Sequence, residues 1–221
     1  MKLMINALIK FGVGSGFTAA LLFFSAGTLH WMNGWIFMSV LFIPMFCAGI
    51  VMMVKNPELL RRRLDAKEKQ MEQKTVVMLS GIMFIAGFLL AGFNYRFEWL
   101  LLPSWITWGA TAIFLFAYAL YGEVLRENAF LSRTIQVQKG QTVVDTGLYG
   151  IVRHPMYVVT ILLFLSMPLI LGWIWSLLIF LTYPLIITKR IRNEEKVLKE
   201  ELEGYEAYCK KVRYRLIPGI W

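Results

Sequence analysis

Apolar residues fall in six runs along this chain, at 11–29, 35–54, 76–93, 100–121, 155–171 and 173–188, with polar connections between them. Most reach the roughly 17 to 25 residues that a helix needs to cross the hydrocarbon core of a bilayer, and the last two lie at the lower edge. The pattern predicts an all-α integral membrane protein of about six transmembrane helices, closing with a C-terminal helical hairpin. The second half has one long polar connection, 122–157, with Gly140 and Gly147 as turn points. It is long enough to fold over a bound molecule. The chain therefore divides into a four-helix transmembrane region, 1–121, and a second region, 122–221, made of loop, hairpin and amphipathic tail.

Composition agrees with a membrane solvent. The chain is 58% hydrophobic with mean hydropathy +0.59, against about 45 to 50% apolar residues in ordinary soluble domains. Charge placement then sets direction, because Lys and Arg collect in the cytoplasmic loops of spanning proteins. With the N-terminus inside, only Arg96 of the 23 Lys and Arg falls outside. The inside set includes Arg61, Arg62, Arg63, Lys67, Lys69 and Arg133. Both termini are expected in the cytoplasm, in a multi-pass protein of the cell's inner membrane. The net charge of +9 reads as topology plus attraction to anionic lipid. Basic residues scattered among short loops form no basic domain, which argues against nucleic acid as a partner.

Lys2, Lys10 and the apolar run after them read as a retained first helix, since no small-residue cleavage site follows. Cys47 lies within the second run and Cys209 in the tail, so neither a disulfide nor a metal is expected. Trp99, Trp105 and Trp108 suit an interfacial belt. Lys189 and Arg192 suit snorkelling to headgroups, and the tail 205–221 is expected to lie along the membrane surface.

Candidate chemistry gathers at the two ends of the hairpin. Arg153 and His154 precede Pro155, which is well placed as a first helical residue. The returning helix ends in Arg190, Glu194 and Glu195. Out and back across the bilayer, the two clusters must meet on one side. Arg190 and Glu194 stand four apart on one helix face, while Glu195 is about 100° further round. Glu194 is thus the acid expected to face a site with Arg190. Taken singly, Arg153 and His154 would suit phosphate contacts at a helix start, and Arg190 with Glu194 an exposed helix pair. Their joint occurrence favours a site.

Residues Gly147, Tyr149, Arg153, His154, Pro155 and Tyr157, followed after a hairpin by Arg190, Glu194 and Glu195, resemble the membrane methyltransferases of the isoprenylcysteine carboxyl methyltransferase and phospholipid methyltransferase group. The resemblance covers about 123–221, and 125–138 and 208–221 look like bacterial members. It implies S-adenosyl-L-methionine (SAM) as cofactor, S-adenosyl-L-homocysteine (SAH) as product, and a lipophilic acceptor reaching the site from membrane lipid. It also implies cofactor contacts at Gln138, Gln141, Thr142, Val143, Val144, Tyr149, His154, Pro155, Met156, Tyr157 and Glu194. Arg190 matches the acceptor position, and Arg190, Glu194 and His154 become the catalytic candidates. A carboxylate acceptor would need no strong base, whereas an amine or thiol would need His154 or a Glu to take a proton.

Two other readings stay open. Membrane sterol and steroid reductases that use NADPH have a related Arg-His-Pro-like motif, although an Asn commonly precedes their Tyr and a Glu follows; Met156 and 158–163 lack both. A non-enzymatic transporter or scaffold is the third, weakened because no charge sits in the middle of any apolar run.

Overall fold

The computed structural model describes residues 2–65, 71–132 and 134–221, with the side chains of 71 and 72 excepted. Lys67, Lys69 and Arg133 of the expected cytoplasmic set lie outside the described residues. Regular structure among the described residues is helical: α1 (Lys2–Ala26), α2 (Met32–Lys55), α3 (Pro57–Leu64), α4 (Met71–Phe97), α5 (Ser104–Glu127), a 3-10 turn (Gly147–Gly150), α6 (Pro155–Ile170), α7 (Ile174–Phe180), α8 (Tyr183–Glu201) and α9 (Tyr205–Lys211).

Five segments are long and apolar enough to cross a membrane: Lys2–Ala26, Met32–Lys55, Gln73–Phe97, Ser104–Glu127 and Ile174–Glu201. Pro155–Ile170, one of the six expected crossings, has 16 residues. At 1.5 Å per residue that is about 24 Å, short of a hydrocarbon core of roughly 30 Å. The return leg also departs from the expected single run over 173–188. It breaks at Leu181 and Thr182 into α7 and α8, where Pro184 has no N–H to carry a helix through from the preceding turn.

Close approach of helices rests on small residues, as expected where lipid removes the hydrophobic drive for helix association. A Cβ on Gly92 of α4 would lie 1.9 Å from Ser25 Oγ and 2.8 Å from Leu22 O of α1. One on Gly87 would lie 2.4 Å from the Phe180 ring of α7. Phe84 and Phe180 then pack edge to face and Phe88 packs tilted against both rings around this contact, and α5 lies along α6. Lys10 Nζ at the start of α1 donates to Leu64 O at the end of α3 at 2.5 Å, so these share the basic end of the molecule with the long loop. The outer faces of α1 and α2 stay exposed and apolar, including Phe17, Phe24, Ile43 and Phe46.

The tail is fixed to the helix bundle at the basic end. It folds back on the start of α6: Arg153 N donates to Tyr214 O at 2.9 Å and His154 N to Arg215 O at 3.0 Å. The extreme C-terminus closes on itself, with Trp221 O accepting from Arg215 N at 2.9 Å and Leu216 N at 3.0 Å. The Arg215 guanidinium lies 5.1 Å over the Trp221 ring.

Candidate active site

A cavity of about 500 Å³ opens at the basic end. Its polar wall is built by the long loop (Ser132, Thr134, Gln136, Gln141, Thr142), by Tyr149, Arg153 and His154, by Arg190 and Glu194 of α8, and by Tyr205 and Tyr208 of α9. Its deeper wall is apolar, with Val76, Val77 and Phe84 of α4, Phe164 of α6 and Ile187 of α8. One space thus joins a hydrogen-bonding mouth to a greasy floor between membrane helices.

Tyr157 sits where the two motif clusters meet. Its hydroxyl donates to Glu194 Oε2 and accepts from Arg190 Nε at 2.9 Å. Arg190 Nη1 in turn donates to Gln73 Oε1 at 3.1 Å, and the His154 and Tyr157 rings stack at 5.6 Å. Glu194 and Arg190 line the cavity while Glu195 does not, the arrangement that a 3.6-residue turn requires of adjacent positions.

Glu195 has a different surrounding. It is 3% exposed, and its carboxylate accepts from Arg153 Nε at 2.7 Å and Arg215 Nε at 2.8 Å, with His154 Nε2 at 3.3 Å. Arg153 also donates through Nη1 to Val212 O at 2.8 Å and Arg213 O at 2.6 Å. Burial opposes its charge, but the Glu195 carboxylate more than offsets this and holds the guanidinium above its ordinary pKa. The network ties the start of α6, the middle of α8 and the tail into one unit, and fixes His154 at the cavity wall.

The loop reaches its position through Gly147, whose φ is +55°. A Cβ there would lie 1.6 Å from Glu127 Oε1, and that carboxylate accepts from Leu148 N at 3.0 and 3.1 Å. Tyr149 then turns inward and its carbonyl accepts from the Tyr208 hydroxyl at 2.8 Å. Burial raises the phenol pKa of Tyr149.

Of the residues named from sequence, Gln141, Thr142, Val143, Val144, Tyr149, His154, Met156, Tyr157, Arg190 and Glu194 line the cavity. Gln138 and Pro155 do not. Gln138 serves its own loop: its side chain donates to Phe130 O and its backbone N–H to Gln141 Oε1 at 2.9 Å. Pro155 is the first residue of α6, as its missing N–H suits. Gln73, Tyr205, Tyr208 and Arg215 join the site or its frame without a sequence signal from the hairpin motifs. Among the described residues no group of three or more His, Cys, Asp or Glu is placed to hold a metal ion.

Fold and site together define a multi-pass helical membrane protein with a cavity walled by a polar loop on one side and apolar helix faces on the other. Over residues 110–200 the chain matches the isoprenylcysteine carboxyl methyltransferase (ICMT) family, the group that its motifs resemble, and this match supports a membrane methyltransferase. It is also similar to Delta(14)-sterol reductase TM7SF2 of Mus musculus, with 30% identity over 91 residues, 40% of this chain and 22% of that protein. The matched stretch spans about a fifth of that relative's length.

Proposed function

We propose that this protein transfers a methyl group from SAM to a lipophilic acceptor that enters from the bilayer, at the cytoplasmic membrane face. The observation that carries the reading is the single cavity that places Tyr157, Arg190 and Glu194 directly above an apolar floor. SAM brings a sulfonium-activated methyl, an adenine and an amino acid end. Two features suit such a molecule. Glu194 is a carboxylate at the wall, complementary to a cation. Tyr205 lines the cavity with a buried hydroxyl that has no hydrogen-bond partner among the described residues, so the polar wall has a donor to give.

The chain's own contribution is position and charge. Tyr157 holds Arg190 and Glu194 at one point, so an anionic acceptor head beside Arg190 and a cation beside Glu194 are brought side by side. Holding reacting atoms at about 3 to 3.5 Å accounts for much of the rate in a displacement of this kind. A carboxylate acceptor oriented by Arg190 has no proton to lose. For an amine or thiol, His154 is the group on the wall that can take one, with Glu195 fixing its ring. The loop over 141–144 forms part of the cavity wall at this end.

The test is transfer of tritiated methyl from SAM into the lipid fraction of membranes that contain the protein. Label in a lipid product that disappears with Arg190→Ala supports the reading; no label above membranes without the protein overturns it. Similarity to a sterol reductase favours a second reading, hydride transfer from NADPH within the same cavity. Oxidation of NADPH in place of methyl transfer would establish it.

A further inference from the structure

The tail carries a buried polar group that lies outside both the hairpin motif and the family match. Tyr205 opens α9, where Gly204 at φ +82° turns the chain sharply after α8. Its ring packs with Leu202, Tyr208 and Val212 and against Val143 and Leu198. Tyr205 is 4% exposed and lines the cavity, yet its hydroxyl is shut off from solvent with no hydrogen-bond partner among the described residues. Burial, then the nearby carboxylates of Glu195 and Glu194, push its pKa up, so the group stays a neutral O–H.

A buried hydroxyl without a partner costs folding stability, and native proteins leave few of them. Tyr208, one turn later on the same helix, shows the ordinary solution: its hydroxyl donates to Tyr149 O at 2.8 Å. Tyr205 has no such backbone acceptor, but it has a cavity beside it. We infer that the Tyr205 hydroxyl is a ligand contact, hydrogen-bonding the polar, nucleoside-bearing part of the molecule that fills the cavity. The α9 and loop end of the space then takes that polar part, while the end walled by Val76, Phe84 and Phe164 takes the lipophilic acceptor. The inference rests on the methyltransferase reading of the same cavity and adds to it a contact from the tail.

Such a contact trades stability for binding, which gives the test two readouts of opposite sign. Tyr205→Phe and Tyr208→Phe would be made in the full chain, melted without ligand in lipid nanodiscs, and titrated with SAH by calorimetry. Tyr205→Phe should melt higher, by roughly 2 to 4 °C, and bind SAH roughly 3- to 10-fold more weakly. Tyr208→Phe, which loses a satisfied bond, should melt lower than the wild type. A Tyr205→Phe protein that melts lower, or that binds SAH as tightly as the wild type, overturns the inference. Failure of the wild type to bind SAH is a separate result, which refutes the methyltransferase reading and takes this assignment with it.

Discussion

Adjacent acids on α8 should respond to the same substitution in opposite ways, and Glu195→Ala is the sharper half of that contrast. The Glu195 carboxylate is 3% exposed and accepts from Arg153 at 2.7 Å and Arg215 at 2.8 Å. Removing it leaves the Arg153 guanidinium, itself 8% exposed, buried without its counter-charge. Breaking a buried pair by deleting one partner costs about 3 to 5 kcal/mol. For a chain of this size each kcal/mol moves the melting point by about 2 to 4 °C, so the expected fall is roughly 6 to 20 °C. The Arg153 bonds to Val212 O and Arg213 O at 2.8 and 2.6 Å remain and keep the loss from being larger. Tryptophan fluorescence melts of the purified protein in nanodiscs would read it. Glu195→Gln, which keeps an acceptor for one arginine, should fall in between. A shift of less than about 3 °C for Glu195→Ala would refute the argument that this carboxylate joins α6, α8 and the tail.

Other substitutions test neighbouring links. Glu194→Ala should leave the melting point within about 2 °C, since its loss is a part-exposed contact, but weaken SAH binding at least about 10-fold in calorimetry. Tyr157→Phe removes the oxygen shared by Arg190 and Glu194, and should lower the rate of methyl transfer about 10- to 100-fold by loosening both groups. Gly147→Ala meets both the positive φ and the Glu127 carboxylate, so a loss of about 1 to 3 kcal/mol is expected, read as earlier melting and faster proteolysis in the loop. Gly92→Leu should separate α1 from α4 and reduce the yield of folded protein, measured by size-exclusion chromatography in detergent.

Much of the candidate site was legible because it depends on periods that sequence carries. Arg190 and Glu194 share a face by their spacing of four, and Pro155 marks the start of α6 by its missing N–H. The hairpin forces its two ends together, so Tyr157 and Glu194 meet although 37 residues apart. Contacts without a period were not legible. Arg215 reaches Glu195 because the tail folds back, and Gln73 reaches Arg190 across 117 residues. Nothing local to either residue signals the pairing. Tyr205 likewise reads as one more interfacial aromatic until its buried hydroxyl is located. Gln138 lies behind the wall instead of on it: its side-chain amide N–H and its backbone N–H serve the loop, while its buried Oε1 has no partner among the described residues. The break in the return leg did leave a mark, since Pro184 beside Thr182 and Tyr183 stands where a continuous helix would need an N–H.

The account's central claim is that the cavity over α4, α6 and α8 is a SAM site at the level of membrane lipid. Titrating the purified protein in nanodiscs with SAH, and separately with NADPH, tests it most directly. The account predicts saturable SAH binding that Glu194→Ala weakens at least about 10-fold and no NADPH binding; NADPH binding in place of SAH would contradict it.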